Sequence, residues 1–591
     1  MTAVGGAPPA WTRPTEVLRR AQAHARPADV ALDPADMGTA RATRHSFNRS
    51  FLRTAARQRW AVDRTDWQVD DAGRGRFVYR VATPTHVFHL VGFSQVLDES
   101  QRTDRVVARS WDVTAALVEG EVDDDLLEVL TREVPRQEAG RAPVGTLVWT
   151  RANRSARFFD AVAEALAAGH QPDPAALGDG AYVLRSTAFY GNGKFALTGF
   201  DGYPTEHPLA LPYRAQMLTA WLLREFSYDL VEHCARARNP KAVPLSGAWR
   251  RYFGLGNATG LGMVPYIVNH PTVLDAWCAL RELPLAHALA RPVTHEAVDR
   301  VLELLARAER YFSRRAALPT APYPDLGTLA DGLGRLREAL TEYRATGCLD
   351  GVAPTDPWRA AQDRAAAESN EVRAVLDTVL VEDTAELEDD VEALLRCCEE
   401  QTWDPATTCA RARDQLQRTY GWTRRLDLTS SSATARFWFT SQDNEEPRRG
   451  RRGVDPGVEV EHPLGVARDV AALLDDLDQA PGDDPLADFL LTHPWHRGAL
   501  GRALSLVEVP YGEVRTNLLA ADFLPLDLQR FQLAVYGMDN YSPQSTDWLR
   551  VTLNSGAPRA ADIRAGVTDD WLFAPGPTTT TTTTTDLPRS A

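Results

Sequence analysis

Between positions 76 and 120 apolar and β-branched residues come in short bursts, FVYRVA, HVFHLVGFS, DRVVARSWDV and TAALVEG, interrupted by Pro84 and the polar stretch from Asp98 to Asp104. Bursts of that length and composition predict an antiparallel β meander. A helix at about 123–134 should follow, then a strand from Thr146 to Thr150, then a helix carrying Phe158, Phe159, Val162 and Leu166 on one face. Residues 46–205 therefore read as an α+β unit.

From 206 to 420 the apolar period lengthens to that of a helix. Leu218, Leu222, Phe226 and Leu230 recur every four residues between Tyr213 and Ala237, and Val298, Val301, Leu305 and Phe312 share a face between Thr294 and Arg315. A third pattern, from Trp358 to about Gln401, sets Leu387, Val391, Leu394 and Cys398 against Glu386, Glu388, Asp389, Asp390 and Glu392. That acidic run reads as a solvated helix face. After Gly421, a strand from Ala435 to Thr440, helices from about Leu464 and Pro485 and a strand from Asp547 to Leu553 predict a C-terminal α+β portion over 421–575. The fold class is α+β: an antiparallel β meander with helices at the N-terminal end, a mainly helical middle, and a C-terminal α+β portion. Residues 1–45, rich in Pro, Ala and Arg, read as a flexible arm, and 576–591, with threonine from Thr578 to Thr585, as a disordered Thr-rich tail.

Composition narrows the function classes. A chain of 591 residues exceeds one ordinary core, so several compact units are expected. The net charge of −15 speaks against nucleic acid or an anionic membrane as partner, since both require a basic face. No apolar run approaches the ~18 residues of a membrane helix, and the N-terminus lacks a basic start followed by an apolar stretch. The six cysteines show no CxxC or Cys/His ligand spacing, which suits reduced thiols and a soluble, cytoplasmic protein. No pattern fixes an oligomeric state or a cofactor.

Candidate chemistry concentrates in a few places. In STAFYGNGKF, Ser186 to Phe195, residues Asn192, Gly193 and Lys194 could turn backbone N–H groups and one ammonium toward an anion. The loop is not a Walker A motif, and a plain Asn-Gly turn explains it as well. In GLGNATGLG, Gly254 to Gly262, glycine density together with Asn257 and Thr259 suits close approach of backbone to a ligand or tight packing, while the spacing fails the dinucleotide fingerprint. Arg151, Arg154 and Arg157 sit where the helix after Thr150 should begin, a spacing that would put them on one side, available to a carboxylate or phosphate or to the chain's own acids. The basic stretch Arg448 to Arg452 has ready partners in Glu445 and Glu446. Tyr541 and Asp547 stand in a turn-rich stretch, and His493 with His496 has no third ligand, so no metal is expected. There is no GxSxG or HExxH motif.

The expectation is an enzyme of small-molecule metabolism that binds a carboxylated or phosphorylated substrate, a small anionic metabolite, through Asn192, Gly193, Lys194, Asn257, Thr259 and Arg154. Its reaction and catalytic residues are not encoded in any motif. The alternative is a non-catalytic scaffold or regulatory protein whose helical region, with its acidic face, binds a partner.

Overall fold

In the computed structural model the described residues are 25–98, 110–136, 145–177, 181–191, 206–258, 271–316, 326–396, 406–430, 439–440, 447–448, 463–496, 540–543, 549–567 and 571–577, with short gaps and a few single positions besides. Their largest sheet has nine strands in the order β1 (Ala61–Val69), β2 (Gly75–Ala82), β3 (Val87–Ser94), β4 (Val113–Glu119), β5 (Thr146–Arg154), β6 (Tyr182–Gly191), β7 (Gly254–Ala258), β11 (Leu549–Leu553) and β10 (Asn540–Pro543). Strands β1 to β6 form the predicted antiparallel meander, β6 and β7 run parallel, and β11 lies antiparallel to β7. The N- and C-terminal α+β portions thus share one sheet, joined through β7. A two-residue pair, β8 (Phe439–Thr440) and β9 (Pro447–Arg448), stands apart.

A parallel pair needs a crossover connection. Between β6 and β7 it includes the helix Arg214–Arg238, which lies over β5, β6 and β7. Introduced in chain order, the helices are α1 (Phe47–Arg57), α2 (Asp124–Glu133), α3 (Phe159–Ala167), α4 (Arg214–Arg238), α5 (Gly247–Tyr252), α6 (Pro271–Ala290), α7 (His295–Ala316), α8 (Leu326–Thr346), α9 (Pro357–Glu368), α10 (Asn370–Glu382), α11 (Glu388–Arg396), α12 (Cys409–Tyr420), α13 (Pro463–Gln479), α14 (Leu486–Thr492) and α15 (Ala560–Ala565). Leu218, Leu222, Phe226 and Leu230 of α4 are all buried, as their four-residue repeat predicts. Phe226 stacks on Phe77 of β2 at 3.7 Å between ring centroids. Gly92 of β3 makes room for that stack, because a Cβ there would stand 2.0 Å from the Phe77 ring.

Three main cores result. The first lies between the sheet and α1, α3, α4 and the segment around Trp571. The second joins α7, α8, α9 and α10 and takes in Leu572 and Phe573. The third joins α12, α13 and α14 through Leu416, Tyr420, Leu473, Leu474 and Phe489. No helix among the described residues is long and apolar enough to cross a membrane.

Four local expectations are corrected. Arg151 and Arg154 belong to β5, not to a helix start; the strand runs four residues past Thr150, and α3 opens only at Phe159. The stretches Ser186–Gly191 and Gly254–Ala258 are strand, not loop. The long pattern from Trp358 breaks at Ser369, whose side chain accepts from Val372 N–H as a helix cap, and again near Thr384. Its acidic run is solvated only in part: Glu386 and Asp389 are exposed, whereas Glu388 meets Arg44, Arg53 and Arg57, and Glu392 meets Arg214. The segment read as an arm is docked from Arg26 onward, and Ala42, Thr43 and Arg44 are buried.

Candidate functional site

The two glycine-bearing segments singled out in the sequence run side by side. Ser186 of β6 is the register partner of Asn257 of β7, and Arg185 is that of Gly256. Asn257 is 2 % exposed, and neither its amide oxygen nor its amide nitrogen has a hydrogen-bond partner. A buried amide in that state costs roughly 1–3 kcal/mol for each unmet group, so a polar neighbour or a water belongs beside it. Asn192, Gly193, Lys194 and Thr259 lie outside the described residues, as does Asp547.

Arg154 is not brought to Asn257. Ala152, not Arg154, occupies the row of Ser186 and Asn257, and two strand spacings with a two-residue offset separate Arg154 from Asn257 by roughly 12 Å of backbone. Its guanidinium turns the other way. It donates to the carbonyls of Ala72 at 3.3 Å and Gly73 at 2.7 Å and to Ser94 Oγ at 3.4 Å, and it lies over the Phe159 ring. That side chain ties the β1–β2 turn to β5.

The described residues enclose a different site at the opposite end of β7. A cleft there is lined by Arg41, Tyr252, Tyr311, Phe312, Arg315 and Trp571, with Ser555, Gly556, Phe573 and Ala574 closing it. From Tyr252, just before β7, to Asn257 the extended chain covers about 16 Å, so the two places are distinct. Two guanidiniums face rings in the cleft: Arg41 sits 4.9 Å from the centroid of Phe312 and Arg315 4.6 Å from that of Tyr311. No Asp or Glu is among the described lining residues. Phe312, Arg315 and Trp571 are buried, whereas Arg41, Tyr252 and Tyr311 are half-buried and form the mouth. The cleft is partly open, and its volume is about 30 Å³, room for roughly two water molecules.

Five separate stretches of chain build these walls. Tyr311, Phe312 and Arg315 end α7, where the helix dipole favours a cation. Tyr252 and Ser555 are held by Arg224 of α4, which is fully buried and donates to the carbonyls of Arg250 (2.7 Å), Phe253 (3.2 Å), Ala557 (3.0 Å) and Pro558 (3.2 Å). Trp571 Nε1 donates to the Ser555 carbonyl at 2.9 Å. Phe573 adopts φ +52, a left-handed conformation that costs a side-chain-bearing residue ~1–2 kcal/mol, and its ring is wedged against Tyr311 and Phe312, both at 5.6 Å. Ser555 Oγ donates to the Tyr252 carbonyl, and no histidine or carboxylate is among the described lining residues. No local sequence signal marks the cleft, because its residues meet only through the fold.

His86, Glu119 and His207 also gather, their ligand-type atoms all within 4.8 Å of one another. Two histidines and a carboxylate are a zinc-type set by residue. The hydrogen bonds point elsewhere. Leu209 N–H donates to His207 Nδ1 at 3.1 Å, so the ring proton lies on Nε2, which donates to Glu119 Oε1 at 3.0 Å. A ligating histidine donates through its other nitrogen, and here a proton occupies the lone pair a metal would take. Burial keeps the His207 ring below its ordinary pKa, against the opposing pull of Glu119. His496 Nε2 bonds Asp476 Oδ2 at 2.7 Å, and His493 stacks on Phe489, both packing roles.

Set against known protein families, curated proteins and solved structures, the chain matches none of them.

Proposed function

We propose that this protein binds a carboxylated or phosphorylated small molecule at the Arg41–Arg315 cleft, the role expected of an enzyme of small-molecule metabolism. One observation carries the reading: in a chain of net charge −15, a cleft holds two arginines braced on aromatic faces, with no carboxylate among its described lining residues. The guanidinium fork is the side-chain geometry that suits carboxylate and phosphate oxygens. The unpartnered amide of Asn257 supports a second polar contact point at the other end of β7. The scaffold alternative has less acidic surface to draw on, because Glu382 and Glu388 are held by arginines of α1 and the residues before it.

Thermal unfolding of the full chain in the presence of acetate, benzoate, citrate and inorganic phosphate tests the proposal. A ligand at 100 times its dissociation constant adds about 2.7 kcal/mol of stability. At least one anion should raise the midpoint, and Arg41→Gln with Arg315→Gln should abolish the rise. If none of the anions acts, or the double variant responds like the parent, the cleft is not an anion site.

A further inference from the structure

We infer that α14 and the turn after it form a docking surface for a basic, amphipathic segment of a partner protein, anchored on Leu491 and Trp495. Among the large apolar side chains that the described residues expose, Leu491 is the most exposed, at 80 %, and Trp495, four positions on, is 67 % exposed. Neither belongs to the third core, which α14 joins through Leu486 and Phe489. Folding thus gains little from an apolar residue at either position, whereas an exposed Trp close to an exposed Leu is the composition of an interface anchor. Four residues of chain span at most ~13 Å, so one bound segment of about two helical turns reaches both. The indole is also set in place before a partner arrives. His493 stacks on Phe489 at 4.4 Å and meets the Trp495 ring edge-on at 5.3 Å, while His496 lies 5.8 Å from the same ring and bonds Asp476 at 2.7 Å. A braced aromatic loses little freedom on binding.

Charge decides what the partner carries. From Pro463 to His496 the chain holds seven aspartates and one arginine. Arg424 pairs with Asp475 and Asp478, but Asp483, Asp484 and Asp488 are exposed and have no ion pair among the described residues. Asp488 precedes Leu491 by three positions in α14 and so shares its side of the helix. Asp476, through His496, is tied to the turn that carries Trp495. The two apolar side chains are therefore accompanied by carboxylates on the same stretch of surface. Such a surface suits Lys or Arg flanking a hydrophobic side chain and repels an acidic segment.

The test titrates the full chain into a labelled amphipathic helical peptide of Leu and Lys, and into its analogue with Glu in place of Lys, and follows fluorescence anisotropy. The Lys peptide should bind in the micromolar range and the Glu analogue should not. Trp495→Ser and Leu491→Ser, both exposed and outside the core, should each weaken the Lys peptide by about tenfold or more and leave the thermal midpoint unchanged. Asp484→Asn combined with Asp488→Asn should weaken it too and flatten its dependence on salt. Binding that survives both Trp495→Ser and Leu491→Ser would overturn the surface, since attraction to a net charge of −15 alone needs neither side chain. Failure of the Lys peptide to bind, or equal binding of the Glu analogue, would overturn the basic partner. Sedimentation showing a dimer of the full chain that Trp495→Ser dissociates would assign the surface to a second copy instead.

Discussion

Arg49 grips Glu382 through two near-parallel hydrogen bonds, Nη1 to Oε2 at 2.9 Å and Nη2 to Oε1 at 2.7 Å, with both side chains almost wholly out of water. The pair joins α1, on the sheet, to the end of α10 in the helical unit. Burial alone would push the Glu382 carboxyl upward, but Arg49, Arg53 and Arg44 together hold it below its ordinary range. Removing one partner of a buried pair costs about 3–5 kcal/mol because the other charge is stranded. Glu382→Gln should therefore destabilise the chain by that order in urea unfolding. Adding Arg49→Met should recover part of the loss; strictly additive costs would mean that the pair is not coupled.

The same junction makes the protein acid-sensitive. His45, beside Arg53, Arg44, Arg49 and Glu382, hydrogen-bonds Thr384 Oγ1 at 2.9 Å, and burial, reinforced by Arg53 and Arg44, lowers its pKa to about 3. In the unfolded chain the ring takes up a proton as pH falls below ~6.5. The folded protein does not bind that proton until much lower pH. Stability from this group is thus complete above ~6.5 and is lost as pH falls toward 3, at up to ~1.4 kcal/mol per pH unit. His45→Gln should flatten the stability–pH curve between pH 6.5 and 5, above the titration of Glu382. Parallel curves for parent and variant would sink the idea.

Gly92 offers a steric test of the main core. A methyl group at this position would lie 2.0 Å from the Phe77 ring, which is itself stacked on Phe226. Overpacking of this kind costs ~1–3 kcal/mol or more. Gly92→Ala should unfold at a lower midpoint, and Phe77→Leu added to it should cost less than Phe77→Leu costs in the parent. If the two costs simply add, the ring is not what the glycine accommodates.

How far the sequence could be read depends on whether the signal was local. The meander from Phe77 to Glu119 and helix α4 were legible because Phe88, Leu90, Ala115 and Leu117, and then Leu218 to Leu230, bury one periodic face. Strand β1 was missed: AVDRTDWQV is largely polar and exposed, as suits an edge strand protected from further pairing. Arg154 was assigned to a helix because an i, i+3 spacing of arginines carries no information about the backbone when packing decides. The acidic run of α11 looked solvated because its partners, Arg44, Arg53 and Arg57, lie more than 300 positions away. Arg41, Tyr252, Arg315 and Trp571 come from separate stretches of the chain that meet only in the fold, so no window of sequence could show the cleft.

Arg224 should prove indispensable to that cleft without lining it. Its guanidinium satisfies four backbone carbonyls around Tyr252 and Ser555, and its head also meets Glu225 at 3.1 Å. A lysine offers three donors and no planar fork. Arg224→Lys should cost at least ~3 kcal/mol, from several carbonyls left unpaired in the core. It should also weaken anion binding by shifting the turn that carries Ser555. Unchanged stability would show that water replaces the lost donors.

The N-terminal segment, polar enough to read as an arm, supplies the last prediction. Arg26 donates to Glu282 through Nε at 2.8 Å and Nη2 at 2.7 Å, and Glu282, on α6, is 2 % exposed. Burial would raise the Glu282 carboxyl, yet Arg26, with help from Arg281 and Arg373, keeps it below its ordinary range and therefore charged. The nearest substitute is Arg281, whose Nε stands 3.9 Å away, beyond hydrogen-bond reach. Arg26→Gln should accordingly cost about 3–5 kcal/mol, the scale for a stranded buried charge. A chain beginning at residue 46 should lose more, since Arg44 leaves Glu388 and Arg41 leaves the cleft at the same time. Urea unfolding of both variants beside the full chain gives the comparison. Unfolding midpoints indistinguishable from the parent would mean that residues 25–45 are held only loosely and that the acids of α6 and α11 find solvent or other partners without them.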